Sequence, residues 1–230
     1  MPVPLGCWAW CSGLTHSPAF SSPWPTRCGA ASSCFAMTTS MNMTAHSSVK
    51  PSDWVARWGR LVKPGGHVLD IACGHGRHMK WFAEQGHATL GIDRSEEALA
   101  SAKLFGVTVH ADIEQGPWPL QSDGSVSQFD AVVVTNYLWR ALFPVITQSL
   151  SPGGILIYET FAQGNGAFGK PSNPDFLLAP GELLSIARAM RVIAFEEGFL
   201  DNPPRIVQRI VAVQGPVSEG ASSLPPSYPL

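Results

Sequence analysis

Between residues 51 and 214, short apolar runs alternate with amphipathic stretches of helical period. Residues 51–61 repeat at helical spacing: Trp54 and Trp58, four apart, share a face, and Val55 and Leu61 flank it. Ser52 or Asp53 serves as the N-cap, and Pro64-Gly65-Gly66 stops the helix. Beyond it the spacing predicts strands over 67–72, 87–93, 107–112, 129–135 and 155–161. Helices are expected over 77–85, ended by Gly86, and over 96–105, capped by Ser95 and stopped by Gly106. Residues 137–150 read as mostly helical, interrupted by Pro144, after a turn-rich stretch with Pro117, Pro119 and Gly124. The period then changes. Residues 162–179 read as loop and 180–189 as a short helix. Strands at 191–199 and 205–213 are joined across Leu200-Asp201-Asn202-Pro203-Pro204, near enough to pair as an antiparallel hairpin.

Five strand–helix units imply a mostly parallel sheet with helices on both faces. The expected class is α/β: a Rossmann-like, doubly wound, seven-stranded, mostly parallel sheet ending in an antiparallel hairpin. Residues 50–214 form the expected domain.

The ends of the chain differ from this middle. Residues 1–49 carry one charged side chain, Arg27, and four of the five cysteines: Cys7, Cys11, Cys28 and Cys34. Cys7 and Cys11 have three residues between them and no second ligand pair, which argues against zinc. The segment lacks the basic start and unbroken apolar stretch of a signal peptide. It reads as a disordered extension, with Met37, Met41 and Met43 as alternative starts. Residues 215–230, rich in proline and serine, read as a disordered tail. No run approaches the roughly 20 apolar residues of a membrane span. A formal net charge of −2 gives no electrostatic footprint for duplex nucleic acid. The setting expected from these features is cytoplasmic, and they leave the oligomeric state open.

The most informative stretch is Val68-Leu69-Asp70-Ile71-Ala72-Cys73-Gly74-His75-Gly76. It reads as strand, tight small-residue turn and helix start, with a carboxylate at the strand's carboxyl end. Such a turn lets a ligand approach the backbone closely. A carboxylate there suits hydroxyls or positive charge and repels a pyrophosphate. The turn therefore points to a nucleoside-like cofactor, S-adenosylmethionine ahead of a dinucleotide. A dinucleotide fingerprint also wants a small residue three positions after Gly76, where the chain has Met79. Two further strands end in aspartate, Asp93 and Asp112, and ligands of open α/β sheets bind beyond such strand ends.

With these motifs the chain resembles the class I S-adenosylmethionine-dependent methyltransferases. The likeness rests on the stretch 68–76, Gly91-Ile92-Asp93, His110-Ala111-Asp112, Phe129-Asp130-Ala131-Val132-Val133 and Leu150-Ser151-Pro152-Gly153-Gly154. Ala72 stands where the family has its first turn glycine. The resemblance implies that Asp70 and the backbone of Ala72, Cys73 and Gly74, with Gly76, hold the methionine end. It implies that Asp93, beside Arg94, accepts from the ribose hydroxyls, and that Asp112 and Ile113 meet the adenine. Asn136 would lie beside the reacting methyl, and Arg77 could meet the carboxylate. A looser likeness links the chain to tellurite-resistance-type and thiopurine-type methyltransferases.

The acceptor half is less legible. The expected partner is a small-molecule methyl acceptor, and no metal is expected. Tyr137, Tyr158 and Glu159 are weak catalytic candidates, with no obvious base among them. Asn202-Pro203-Pro204 is similar to the motif of amino-directed DNA methyltransferases, but it lies in the late hairpin connection rather than after the fourth strand. The loop at 162–179 is long enough to read as a lid. A non-catalytic S-adenosylmethionine-binding protein and an NAD-dependent oxidoreductase are the alternatives.

Overall fold

The structure, a computed structural model, describes residues 50–215 and 228–229. The expectations for residues 1–49 and for most of the tail lie outside the described residues. Ser52 caps the first helix, α1 (Asp53–Trp58), its Oγ accepting from the N–H groups of Trp54 and Val55. β1 (His67–Ile71) leads through the small-residue turn to α2 (Arg77–Glu84). β2 (Ala88–Asp93), α3 (Glu96–Ala102) and β3 (Val107–His110) follow. A two-stranded ribbon, β4 (Gln121–Ser122) with β5 (Ser125–Val126), forms within the stretch read only as turns.

β6 (Phe129–Thr135) is followed by a 3-10 turn and by α4 (Phe143–Gln148). Pro144 falls in the first turn of α4, so it starts this helix rather than interrupting one. Its missing N–H costs nothing there. β7 (Leu150–Phe161) begins five residues earlier than the apolar run suggested, because Leu150 pairs with Phe129. α5 (Glu182–Ile186) precedes β8 (Met190–Asp201) and β9 (Pro204–Gln214).

The main sheet has the order β3-β2-β1-β6-β7-β9-β8. Its first five strands run parallel, while β9 lies antiparallel between β7 and β8. Strand order reverses between β1 and β6, and the carboxyl ends of those two strands are the place where such a sheet opens a crevice.

Alternation along the central strands feeds two cores. Leu69, Ile71, Val132, Val134, Leu156 and Ile210 face one side, and Val68, Ala131, Val133, Ile157 and Val211 face the other. Trp54 and Trp58 complete the second core, edge to face at 5.7 Å. They are core residues rather than a cover for a ligand.

Candidate cofactor and acceptor site

The turn after β1 is built on residues that hold positive φ. Ala72 has φ 55°, Gly74 53° and Gly76 76°. Gly76 is required twice over. Besides that conformation, a Cβ there would sit 2.9 Å from Ala102 of α3. The turn is tied to β2 by two bonds: Cys73 donates its N–H to the Ile92 carbonyl at 3.0 Å, and Gly74 donates to Asp93 Oδ2 at 2.8 Å. The Cys73 thiol points away from the cleft, into a small core with Met79 and Leu99. Burial, then the charges of Asp70 and Asp93, push its pKa up. It is a packing thiol, and only its backbone faces the turn.

Gly91 lies in β2, beside the turn. Its role is packing: a Cβ would lie 2.4 Å from Met79 Sδ and 2.6 Å from Cys73 Sγ. Met79 thus fills the place a dinucleotide site keeps small, and is itself fully buried.

Ala72, Asp93, Arg94, Asp112, Ile113 and Tyr137 line a small cavity of about 140 Å³ beyond the ends of β1, β2 and β3. Asp93 Oδ1 accepts from the Ser95 N–H and Oδ2 from the Gly74 N–H, both at 2.8 Å. A carboxylate has about four lone-pair positions, so one remains on each oxygen for a pair of hydroxyls. Asp112 turns Oδ1 back on the Glu114 and Gln115 N–H groups at 3.0 and 3.3 Å, which fixes the floor around Ile113. The Tyr137 hydroxyl is buried beside the Glu114 carboxylate. Burial and then the Glu114 carboxylate push its pKa up, so it stays a neutral phenol.

Arg77 and Asn136 line a second, larger cavity of about 560 Å³ with Glu159, Phe168, Lys170 and Arg205. Asn136 and Tyr137 are consecutive, and each lines one of the two cavities. Asn136 has φ 54°, like Ala72 at the end of the neighbouring strand. Its N–H donates to the Glu159 carbonyl at 2.9 Å, and the Tyr137 carbonyl accepts from the Tyr158 hydroxyl at 3.0 Å. Tyr158 itself is fully buried. Its hydroxyl is committed to the peptide it clamps, which sets it apart from Tyr137 and Glu159, the candidates that line the two cavities.

Asp70 and His78 are also buried. Asp70 Oδ2 lies 3.7 Å from His78 Nδ1, too far for a hydrogen bond, and has no other partner. A buried carboxylate oxygen without a hydrogen bond beside the turn is a place for a cationic or N–H-bearing group. Burial lowers the pKa of Arg77; Asp70 and Glu159 push it back up, and Arg205 adds to the lowering. Glu159 is enclosed, with Oε1 accepting from Ser52 Oγ at 3.2 Å and Oε2 paired with Arg209 at 3.4 Å.

The long loop after β7 is anchored at several points. Arg140 reaches it with a full fork: Glu182 Oε1 at 2.7 Å, and the carbonyls of Asp175 and Leu177 at 2.7 and 2.9 Å. Asn165, 1% exposed, donates to the Pro171 carbonyl and accepts from the Ile206 N–H. Gln208, also buried, binds the Ala179 carbonyl and the Leu183 N–H. The hairpin connection folds back so that Asn202, Pro203 and Pro204 line the larger cavity, which chain order alone did not reveal. No group of His, Cys, Asp and Glu that could hold a metal occurs among the described residues, and no helix there is long and apolar enough to cross a membrane.

Fold, cleft and sequence kinship agree. Residues 68–154 match the protein family described as "Methyltransferase domain". This stretch is thus similar to a methyltransferase domain, and S-adenosylmethionine is the methyl donor that the likeness implies. It is similar to the Bacillus subtilis protein YqeM, 34% identical over 124 residues, 47% of this chain and 48% of that one. It is also similar to the dTDP-3-amino-3,4,6-trideoxy-alpha-D-glucopyranose N,N-dimethyltransferase of Streptomyces venezuelae, 31% identical over 108 residues, 42% of this chain and 46% of that one. The chain spans about half the length of the curated relatives it matches. Among solved structures, TehB from Haemophilus influenzae superposes with a TM-score of 0.58 at 18% identity, over 74% of this chain and 64% of that one, a likeness of fold.

The residues present fit this cofactor. The free lone pairs of Asp93 suit ribose hydroxyls, and the unpartnered Asp70 oxygen suits an ammonium or a bound donor.

Proposed function

We propose that the protein transfers a methyl group from S-adenosylmethionine to a small-molecule acceptor. One observation carries this reading: two cavities, a narrow one over the strand-end carboxylates and a larger one beyond, are lined by the consecutive residues Asn136 and Tyr137. A narrow nucleoside pocket beside a roomier chamber is what a two-substrate transfer needs.

When bound, the cofactor supplies an intrinsically activated methyl on a sulfonium, so the protein's contribution is proximity and alignment. In this reading Asp93 accepts from the ribose, the Ile113 and Asp112 segment faces the adenine, and Arg94 borders the same pocket. Asp70, Ala72, Cys73, Gly74 and Gly76 form the turn around the methionine end, and Arg77 at the start of α2 faces its carboxylate. Asn136 stands where the methyl would point. Tyr137 offers a neutral hydroxyl to the cofactor side. Glu159 anchors Ser52 and Arg209 and has both oxygens occupied, which supports a structural role over that of a base.

A cleft of about 560 Å³ is of a size for a small acceptor, and the sugar-nucleotide acceptor named for the Streptomyces relative is in keeping with it. The reading sets the reaction in the cytoplasm, where a buried free thiol such as Cys73 stays reduced.

The test is a transfer assay with methyl-labelled S-adenosylmethionine and separate pools of thiols, amines, phenols and carboxylic acids. Label in a small product, with S-adenosylhomocysteine released, supports the reading. Cofactor binding without transfer in any pool means a binding protein instead, and binding of NAD in place of S-adenosylmethionine means an oxidoreductase.

A further inference from the structure

The larger cavity has a charge pattern that the cofactor does not account for. Four cationic side chains and two carboxylates line it, so its lining is net positive. The inner charges are matched. Glu159 is paired with Arg209, and Arg77 lies near Asp70 and within hydrogen-bond reach of Thr135 Oγ1 at 3.5 Å. Two of the outer ones, Arg205 and Lys170, are not. Arg205, at the start of β9, makes one hydrogen bond, from its guanidinium to the Pro203 carbonyl at 3.2 Å. Neither Arg205 nor Lys170 has a carboxylate within ion-pair distance among the described residues. The acid on this rim, Asp53, is exposed in the first turn of α1.

The same outer chamber carries apolar surface. Phe161 and Phe168 both line it. Phe168 is 47% exposed, yet its ring is backed by Phe199 of β8, with centroids 4.9 Å apart. A half-exposed aromatic ring braced from behind and facing a cavity is a stacking platform. The backbone that presents Phe168 and Lys170 is held in place by Asn165, so this wall is set before any ligand arrives.

We propose that the acceptor is an organic acid with a flat apolar body, its anionic group held between Arg205 and Lys170 and its body laid against Phe168 and Phe161. A guanidinium favours a planar carboxylate because two N–H groups can meet two oxygens. Braced aromatic surface beside it selects against a small inorganic anion, which has nothing to stack. This inference rests on the methyltransferase reading for the neighbouring cofactor pocket.

The probes are 2-naphthoate and its neutral twin 2-naphthamide, titrated by ligand-observed NMR into the full chain saturated with S-adenosylhomocysteine. Naphthoate should bind at least about tenfold more tightly than naphthamide. Arg205→Ala should reduce naphthoate affinity about tenfold and leave S-adenosylhomocysteine affinity, measured by calorimetry, unchanged. Arg205→Lys should retain part of the naphthoate affinity, and Phe168→Ala should weaken both probes alike. Equal binding of the two probes, or no naphthoate binding at all, overturns the proposal. So does an Arg205→Ala variant that loses S-adenosylhomocysteine in step with naphthoate, for then Arg205 serves the cofactor. If S-adenosylhomocysteine fails to bind the wild-type chain, it is the methyltransferase reading that falls, and the probe preference is then read on the chain alone.

Discussion

Ser52 donates its backbone N–H to His78 Nε2 at 3.2 Å, and the direction of that bond fixes the imidazole tautomer. With Nε2 accepting, the neutral ring carries its proton on Nδ1, facing Asp70 Oδ2 at 3.7 Å. His78 therefore ties the segment ahead of α1 to α2, and turns Nδ1 toward the carboxylate beneath the cofactor turn without bonding it. His78→Ala removes the acceptor for Ser52 and leaves Asp70 more isolated. The expected cost is about 1–3 kcal/mol of stability, from the lost hydrogen bond and the space left by a buried ring. Denaturant unfolding at neutral pH measures it, and an unchanged midpoint would show that the tie carries no weight.

Asp93 works on both sides of its carboxylate: it organises the turn through Gly74 and Ser95, and its outer lone pairs face the small cavity. Asp93→Ala should weaken S-adenosylhomocysteine binding by about 1–3 kcal/mol. Calorimetry decides this, and wild-type affinity in the variant would refute the ribose role.

Ala72 holds φ 55°, a conformation that costs a non-glycine residue roughly 1–2 kcal/mol. Glycine removes that strain but frees the unfolded chain by about 0.4–1 kcal/mol. Ala72→Gly should therefore leave the protein as stable or slightly more so, by up to about 1.6 kcal/mol. A lowered unfolding midpoint would contradict the assignment of strain to this turn.

Asp130 bears on the pH dependence of stability. Partial burial alone would raise its pKa, but Lys63 at 2.7 Å, the His67 N–H at 2.9 Å and Ser151 together hold it below the ordinary aspartate value. A carboxyl depressed by folding contributes stability that is complete above its unfolded value of about 3.9 and is lost as the pH falls through the folded one. Asp130→Asn should be less stable than wild type at neutral pH, and the gap should close only in acid below about 3.9. A gap that persists unchanged in strong acid would mean that its origin is not electrostatic.

Arg140 pins the loop after β7 through Glu182 and two carbonyls. Arg140→Ala should make residues 163–178 the preferred site of limited proteolysis while the sheet stays intact. Cleavage at the wild-type rate would show that Asn165 and Gln208 suffice.

Most of the sheet was legible because each strand's signal is local. Val68 to Ile71 and Phe129 to Thr135 are apolar runs bounded by turn residues, and periodicity needs no knowledge of the partner strand. Pro144 and the early start of β7 were misread because a proline opens a helix as readily as it breaks one, and Leu150 extends its strand by pairing with Phe129. The cofactor turn was legible for the same local reason. The acceptor side was not, since its residues meet only through the fold. Asn165 binds a backbone group 41 residues away, and Gln208 one that is 29 away. Tyr158 looked available at a strand end, but its face of the sheet is fixed by pairing with Val134 and Ile210, which turns it into the core.

The Asn136–Tyr137 peptide is clamped from β7 at both residues, by the Glu159 carbonyl and the Tyr158 hydroxyl, and it borders both chambers. It is a party wall between two tenants. A guest that shifts it on one side reshapes the room on the other, and thermodynamic linkage makes that influence equal in both directions. Whatever factor an acceptor imposes on cofactor affinity, the cofactor must return to the acceptor.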